Sequence, residues 1–497
     1  MRRIGSVRAR LFVRRGISVL LVAAASAAIV VVDRQDASRP EGATAAVDAF
    51  AGFPQVSSGS RISTSWFCPG AAAGDGIEGA RVVIVNPSDS DIVGTLRILS
   101  TDPSVLEPIT IGPRSRAEFE ILRGRTVGVV VPVVELIGSV GSVEQELVYA
   151  AGDVTSQCVT KTSPTWLFAD GFTVEGSTHR LVLSNPYPDS AVVNVSFTTA
   201  DGERTPASLQ GLILAPRSAR SISLAESGAR DERSIAVEVE ATSGQIVASR
   251  IQHYLGGGRL GYTTTAGVPV AGRQWWFTSG RTGAQVSEQL VVFNPGTDIA
   301  SVTVSFFGDG ITNVPATDGF AAAASPSAEV DVQPGATLAI DTNSIADLPR
   351  GDHAMVLDVV DGPAVVAEHV LSQQAASGFF TAVTNGVPQG LVSQVWKVPS
   401  GLARGARNAL AIVNTTGEDA TFTVSAVGPG GEVELPGFVD VPLGPAAVAA
   451  LDVPDGASNG EVVVRASTSV VIQRRTARGH GLPGFGIVGA LPVRGAR

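Results

Sequence analysis

The chain repeats one strand pattern four times, and this repetition limits its fold more than any other feature. Each copy has a Trp-bearing segment followed by an apolar run that ends in Asn. The pairs are Trp66 with Asn86, Trp166 with Asn185, Trp276 with Asn294, and Trp396 with Asn414. The apolar runs read VVIVNP, LVLSNP, LVVFNP and LAIVNT. Internal repetition of this kind indicates an architecture built from one recurring structural unit.

The residues after each Asn alternate between apolar and polar side chains. In the second copy Val193, Val195 and Phe197 share one face of a predicted strand, and the Asp201-Gly202 turn follows. Alternation at period two is typical of a half-buried antiparallel strand. About seven short strands in about 100 residues match an immunoglobulin-like sandwich, whereas propeller blades have only about 40–50 residues. The sequence therefore predicts an all-β fold of four tandem immunoglobulin-like β-sandwich repeats, arranged one after another along the chain.

The repeats set the predicted domain boundaries. The four segments are 61–163, 164–272, 273–391 and 392–497, and they are called the first to fourth segments below. Three shorter regions precede them: a basic cytoplasmic region at 1–16, a transmembrane signal anchor at 17–32, and a flexible stalk at 33–60 that is rich in Ala, Ser, Gly, Pro and Asp.

The predicted anchor reads ISVLLVAAASAAIVVV and contains no charged residue. Six arginines and no acid precede it, and a positive flank stays in the cytoplasm, so we expect the C-terminal body outside the cell membrane. A cleaved signal peptide is the alternative, with Ala25-Ser26-Ala27 as its small-residue cleavage site and a secreted product. The apolar run continues through Val32, beyond that site, which favours an uncleaved single-pass anchor.

The net charge of the chain limits the kinds of partner that the protein can bind. The net charge is -10, and because residues 1–32 carry six arginines, the remainder carries -16. A body with this much negative charge has no basic surface that could bind nucleic acid. The expected partners are the cytoplasmic membrane, through the N-terminal segment, and an envelope protein or wall glycan.

The chain has two cysteines, Cys68 and Cys158. Export makes a disulfide between them chemically permissible. Because the bridge would close a long loop, it would stabilise the first segment by up to about 4–5 kcal/mol in the loop-entropy model. We therefore predict that the two cysteines are bonded.

Motifs for chemistry are missing from the sequence. The five histidines form no H-E-x-x-H pair, and neither a G-x-S-x-G elbow nor a phosphate-binding loop is present. We predict no catalytic residue, no cofactor and no metal site. Trp275 and Trp276 are the candidate ligand or partner contacts: neighbours on a strand point to opposite faces, so one could be exposed while the other is core. The recurrence of Trp in every copy instead favours a core or seam position.

The opening Trp66-Phe67-Cys68-Pro69-Gly70, the strand-Asn-Pro repeats and the arginine-flanked N-terminal segment resemble an actinobacterial family of secreted or membrane-anchored proteins, domain-of-unknown-function family 5719. The resemblance implies an envelope location and no known activity or site residue. Two functions are expected. The first is a non-catalytic, membrane-anchored extracytoplasmic scaffold or binding protein of the bacterial envelope. The alternative is a carbohydrate-active hydrolase or glycan-binding protein acting on cell-wall polysaccharide.

Overall fold

The computed structural model describes residues 50–57, 62–138, 141–308, 310–311, 326–375, 378–399, 409–452 and 460–494. The predicted cytoplasmic region and anchor lie outside these residues. Within the described part of the chain, no helix has the length and apolar character needed to cross a membrane.

Strands account for nearly all regular structure, which confirms the all-β prediction. The first segment and the residues before it contain β1 Val56–Ser57, β2 Ser63–Phe67, β3 Ala71–Ala72, β4 Ile77–Asn86, β5 Ile92–Leu99, β6 Val105–Ile111, β7 Ser115–Glu120, β8 Val129–Ile137, β9 Ser142–Tyr149 and β10 Val154–Gln157. The second segment contains β11 Thr165–Phe168, β12 Thr178–Asn185, β13 Ala191–Thr199, β14 Gly202–Arg204, β15 Leu212–Leu214, β16 Ser218–Ser223, β17 Ala236–Ser243, β18 Val247–Gly256 and β19 Arg259–Ala266.

The later segments have equivalent strands. The third contains β20 Gln274–Thr282, β21 Val286–Phe293, β22 Ala300–Phe307, β23 Ser327–Val332, β24 Thr337–Asp341, β25 Gly351–Asp361, β26 Val366–Ala375, β27 Gly378–Asn385 and β28 Val387–Pro388. The fourth contains β29 Ser393–Val398, β30 Ala409–Asn414, β31 Ala420–Gly428, β32 Gly431–Glu434, β33 Val441–Leu443, β34 Val448–Asp452, β35 Glu461–Ala477, β36 Phe485–Gly489 and β37 Leu491–Arg494. Short 3-10 helices lie at Val174–Gly176, Ala207–Leu209, Thr342–Ser344 and Gln389–Leu391.

Each segment builds two antiparallel sheets. In the second segment one sheet has the order β11-β17-β13-β14 and the other has the order β16-β12-β18-β19. The first and third segments pair equivalent strands in the same way, and in the fourth the long strand β35 joins both sheets. The sandwich-like sheets agree with the prediction. Their order differs from a constant-type immunoglobulin domain, where the first two strands share a sheet.

The recurring Asn begins the same turn in all four segments. Its side-chain NH₂ donates to the backbone carbonyl four residues later, at 2.7–2.8 Å, and its Oδ1 accepts the N–H two residues later, at 2.9–3.0 Å. Asn favours such local hydrogen bonds to its own backbone. The side chains of Asn86, Asn185, Asn294 and Asn414 therefore hold the same turn in each segment, although Thr415 rather than Pro follows the last of them.

The register assigns the recurring Trp of the third segment to Trp275. Trp66, Trp166, Trp275 and Trp396 each lie opposite the equivalent residue of the neighbouring strand, respectively Val134, Val239, Leu357 and Val464. The indole N–H of Trp166 donates to Ile246 O at 2.9 Å, and that of Trp275 donates to Val365 O at 2.9 Å. The sequence alignment on Trp276 was wrong by one residue, because two adjacent Trp residues leave the register ambiguous.

The part of the predicted stalk from Phe50 to Ser57 is ordered and packed, which corrects the prediction of a flexible stalk over 33–60. Phe53 and Val56 are buried, and β1 pairs in parallel with β37 near the chain's other end. The Thr160 hydroxyl donates to Phe53 O at 3.1 Å. The remainder of the predicted stalk, residues 33–49 and 58–60, lies outside the described residues.

Phe50–Arg497 forms one compact unit, which corrects the expected linear arrangement of separate sandwiches. One strand of each segment, β10, β19, β27 or β36, is called its inner strand. Each inner strand contacts the next, and the fourth contacts the first, so the four segments close into a ring. A core of buried aliphatic and aromatic residues is continuous between the third and fourth segments.

Candidate functional site

The inner strands surround a cavity of about 90 Å³, here called the axial cavity. Each inner strand has a ladder on one side only, with β9, β18, β26 or β35 respectively. A strand with one free edge presents backbone N–H and C=O groups to whatever lies beside it. The centre of the ring therefore presents backbone polar groups as well as apolar side chains.

Hydroxyl and amide side chains add to this polarity. The lining includes Thr155, Ser156, Gln157, Thr263, Thr264, Thr381, Thr384 and Asn385. Three of them bond across to a backbone carbonyl on a neighbouring segment. Ser156 Oγ donates to Thr264 O at 2.7 Å, Asn385 Nδ2 to Ala266 O at 2.9 Å, and Gln157 Nε2 to Ala490 O at 3.0 Å. These bonds join the first segment to the second and fourth, and the third to the second.

Arg478 lies where the hairpins leading into the inner strands meet. Its guanidinium donates to Ala151 O of the first segment and to Pro483 O, the latter at 3.0 Å, and lies 5.5 Å from the Phe380 ring of the third segment. A side chain on Gly261 of the second segment would come within 3.4 Å of it. Burial lowers the pKa of Arg478. This one side chain touches all four segments at the hairpin end of the axial cavity.

Residues Phe50–Ser57 cover the opposite end of the axial cavity. Phe53 and Pro54 line the axial cavity there, and the Phe53 ring lies 6.0 Å from that of Trp275. A Cβ on Gly52 would lie 2.8 Å from Pro269 of the second segment. Together with the Thr160 bond and the β1–β37 ladder, these contacts join Phe50–Ser57 to all four segments.

Two of the four seams between segments contain buried ion pairs. Between the second and third, Arg250 faces Glu368 with N–O distances of 3.0 and 3.4 Å, and both side chains are fully buried. Arg259 binds both oxygens of Asp170 at 3.0 Å in the same seam. Burial alone lowers the pKa of Arg250, but the charges of Glu368, Tyr254 and Asp170 and the hydrogen bond to Glu368 together outweigh it and hold that pKa above its ordinary value.

The seam between the fourth and first segments has the equivalent pair. Arg474 Nη2 lies 2.8 Å from Glu144 Oε2. Glu461 beside it accepts from Ser142 at 2.9 Å and lies 2.9 Å from Lys397 Nζ. By register, Glu144 corresponds to Glu368 and Arg474 to Arg250. Both charged seams therefore use the same two strand positions.

The other two seams have no Arg–Glu pair at those positions. Ser249 Oγ of the second segment donates to Pro69 O of the first at 2.6 Å. Thr278 N of the third donates to Gln473 Oε1 of the fourth at 2.8 Å. An Arg–Glu pair at those two positions thus occurs at alternate seams, while Arg475 of the fourth segment pairs with Asp352 of the third nearer the surface.

A buried carboxylate in the third segment lies between two imidazoles. Glu288 Oε1 is 2.7 Å from His369 Nε2, and its Oε2 is 2.9 Å from His353 Nε2. Burial raises the pKa of Glu288, but the charges and hydrogen bonds of the two histidines outweigh it and lower that pKa. The nitrogens point at the carboxylate, and the described residues contain no group of three or more His, Cys, Asp or Glu side chains that could hold a metal ion.

A second concavity of about 460 Å³ lies between the second and third segments. It is lined by Glu203 and Glu238, together with Pro295, Thr297 and other residues of the third segment. Burial, then the nearby charges of Glu203 and Glu240, raise the pKa of Glu238. This groove brings two carboxylates with different environments to one surface.

The predicted site residues have different outcomes. Cys68 and Cys158 are bonded, as predicted. Trp275 and Trp276 are both buried, with 0% and 3% of their surface exposed, so both occupy the core or seam position that the recurrence of Trp favours. Trp276 stacks on Phe307, and its indole N–H donates to Gln274. Neither ring offers a face to solvent.

Sequence reasoning missed the axial cavity and the seams. A weak signal existed, because the inner strands lead into similar short segments: Cys158-Val159-Thr160, Gly267-Val268-Pro269, Gly386-Val387-Pro388 and Ala490-Leu491-Pro492. In each, the chain crosses from its inner strand to pair with the strand that opens the segment. The isolated charges on otherwise apolar strands, such as Arg250 and Glu368, were the second signal.

Comparisons with known proteins add little about activity. A crystal structure titled Thermotoga maritima 1070 matches with 15% identity over 24% of this chain and 97% of that one, at a TM-score of 0.20. Streptomyces avermitilis α-L-rhamnosidase complexed with L-rhamnose matches with 12% identity over 86% of this chain and 44% of that one, at a TM-score of 0.14. Neither likeness is close enough to carry an argument.

No curated protein matches the chain. A family model matches residues 138–258 and 257–495, which together span more than half of the sequence and most of the ring. The chain therefore belongs to the family of unknown function DUF5719.

Proposed function

We propose that this chain is a non-catalytic binding or scaffold protein of the bacterial cell envelope, held at the membrane by Ile17–Val32 with its body outside. The observation that carries the proposal is the closed ring. Two buried Arg–Glu pairs, Arg250–Glu368 and Arg474–Glu144, join neighbouring segments, and the space that the ring encloses is small. We further infer that the four segments are diverged copies of one ancestral β-sandwich, since their strands pair alike.

The location can be tested by cell fractionation and N-terminal sequencing of the mature protein. We expect the full-length chain in the membrane fraction, with the body accessible to protease added outside. A mature N-terminus near Ala28 would show cleavage and contradict the anchored form. The disulfide supports export, because such bonds persist mainly in oxidising compartments.

Crosslinking in intact cells tests the binding role. We expect one or a few envelope proteins, or wall glycan, to be recovered with the wild-type chain. Recovery should fall when the ring is opened by Arg250→Met, which leaves Glu368 buried without its partner. Equal recovery from the wild type and from a chain whose ring is shown to be unfolded would contradict a binding role for the ring.

A hydrolase acting on cell-wall polysaccharide is the second candidate, and the Glu203–Glu238 groove favours it. Glycosidases use two carboxyl groups, one of which has a raised pKa and acts as general acid. The raised pKa of Glu238 fits that acid. Wall polysaccharide incubated with the purified chain should then release reducing ends, and Glu238→Gln should stop this while Glu226→Gln, at an exposed turn, should not.

A further inference from the structure

We propose that Phe50–Ser57 is a lid that leaves the ring as one piece and opens the axial cavity. Phe53 and Pro54 form part of the cavity wall, so the wall is incomplete once the lid has left. The observation that carries the proposal is the pattern of hydrogen bonds. The first six residues of the lid bond to one another, and among the described residues Thr160 is the side chain of the ring that donates to them.

Gln55 holds the first six residues of the lid together. Its Nε2 donates to the carbonyls of Phe50 and Ala51 at 3.0 Å and to that of Phe53 at 3.3 Å. The Phe53 N–H donates to Phe50 O at 3.2 Å. All of these bonds lie within the lid and persist when it leaves, so they do not tie it to the ring. The lid therefore moves as one folded piece.

Few hydrogen bonds join the lid to the rest of the ring. Thr160 Oγ1 donates to Phe53 O at 3.1 Å and lies 3.5 Å from Ala51 O. At the other end of the lid, β1 pairs with β37 over two residues, and β37 keeps its ladder with β29 when β1 leaves. By contrast, the long strand β35 pairs with β29, β30, β31 and β36. Undocking the lid therefore breaks far fewer bonds than unfolding β35.

Packing is what holds the lid in place. Phe53 and Val56 are buried, and the Phe53 ring lies 6.0 Å from that of Trp275. The fit is tightest at Gly52, where an added Cβ would lie 2.8 Å from Cγ of the Pro269 ring. An element with few buried side chains and few bonds opens at a lower free energy than the whole fold. We therefore expect the lid to open and close while the ring stays folded.

The lid end is the entrance to the axial cavity. At the hairpin end, Arg478 donates to the carbonyls of Ala151 and Pro483 and so joins two hairpin backbones. At the lid end, Leu391 lines the cavity, and a Cβ on the adjacent Gly390 would lie 2.4 Å from the Phe50 ring. Departure of the lid therefore exposes an apolar part of the cavity wall to solvent.

The position of the lid in the chain gives its opening a cause. Phe50–Ser57 follows the proposed membrane anchor in the sequence and precedes all four segments. A pull along the chain from the membrane therefore reaches the lid before it reaches any segment. This step rests on the proposed membrane location, whereas the opening itself does not.

Hydrogen exchange of the full chain in detergent, followed by mass spectrometry at increasing low urea concentrations, tests the opening. We expect the amides of Phe50–Ser57 to exchange at least roughly a hundredfold faster than those of β35. Their exchange should depend little on urea, because lid opening exposes little surface, whereas that of β35 should depend on it steeply.

Two variants loosen the lid in different ways. Gly52→Ala should speed lid exchange roughly tenfold, because its methyl group overpacks the contact with Pro269. Thr160→Val should speed it roughly fivefold, the effect of losing one hydrogen bond. Gly417→Ala is the matched control, because a Cβ at Gly417 would meet no atom within 4 Å, and its lid should exchange as in the wild type.

A thiol inside the cavity reports whether the lid opens it. Val387 lines the cavity and is 9% exposed, and Val387→Cys adds a single free thiol because Cys68 and Cys158 are bonded. Its rate of alkylation should rise in the Gly52→Ala background by the same factor as lid exchange. It should not rise in the Gly417→Ala background.

Three results would overturn the proposal. They are lid exchange with the rate and urea dependence of β35, wild-type lid exchange in both Gly52→Ala and Thr160→Val, and alkylation of Val387→Cys that Gly52→Ala leaves unchanged. These outcomes are separable from failure of the proposed function. A lid that does not open, in a chain that still crosslinks to envelope partners, removes the device and leaves the binding role standing.

Discussion

His179 on β12 is fully buried, and neither of its ring nitrogens has a hydrogen-bond partner among the described residues. Gly171 makes room for it, since a Cβ there would lie 2.5 Å from His179 Nδ1. Burial, and then the charge of Arg250, lower the pKa of His179 well below its ordinary value. The imidazole is therefore neutral in the folded protein.

The neutral, buried His179 predicts that the stability of the protein depends on pH. Because His179 is protonated more readily in the unfolded chain, stability should fall as the pH drops below about 6.5, by up to about 1.4 kcal/mol per pH unit. His179→Phe keeps a ring of similar size and should remove this contribution. Urea unfolding of both proteins at pH 5 and pH 7.5 measures it. An equal change in stability for the two proteins would show that His179 does not carry the effect.

At the scale of the element, the seam between the second and third segments depends on one Arg–Glu pair. Arg250→Met should destabilise the protein by about 3–5 kcal/mol, because it leaves Glu368 as an uncompensated buried charge. Arg250→Met with Glu368→Leu should recover much of the loss, since apolar replacement of both members is often tolerated. Denaturant unfolding measures both effects.

Arg465→Met is the matched control. Arg465 pairs with Glu432 on the surface, with 51% and 37% of the side chains exposed. Exposed pairs contribute at most about 1 kcal/mol. A loss as large as that of Arg250→Met would contradict the special role of the buried pair.

Strands and turns could be predicted from sequence because their signals are local. Val193, Val195 and Phe197 alternate with polar residues, and Asn185 bonds within its own turn. Strand pairing could not be predicted, because β11 pairs with β17, which lies far along the chain. The axial cavity could not be predicted from the sequence for the same reason. Thr264 and Asn385 come from different segments and meet only when the ring closes.

At the scale of the whole molecule, Phe50–Ser57 contacts all four segments and so stabilises the closed ring. Phe53→Ala should lower stability by about 3–5 kcal/mol, the usual cost of removing a buried Phe side chain. It should also speed hydrogen exchange in Phe50–Ser57. Ile62→Ala is the control, because Ile62 is 91% exposed. Unchanged exchange and stability in Phe53→Ala would contradict a clamping role.

The disulfide also joins parts of the chain that are far apart in sequence. Cys68 and Cys158 are 90 residues apart and join the opening strand of the first segment to its inner strand. Replacing both with Ala should lower the free energy of unfolding by up to about 4–5 kcal/mol. Thermal unfolding of the double variant, compared with the reduced wild type, measures it. The two should melt together, and a variant as stable as the oxidised protein would contradict the loop-entropy argument.

The closure of the fourth inner strand on the first has a consequence for how such a gene can change. In a linear solenoid each unit contacts only its neighbours, so loss or gain of a unit leaves the remaining contacts intact. Here β36 contacts β10, and Glu144 needs Arg474 from the far end of the chain. Deleting or duplicating one segment would set a charged seam position against a neutral one and leave a carboxylate or guanidinium buried alone. Insertions and deletions should therefore accumulate in the loops while the number of segments stays at four.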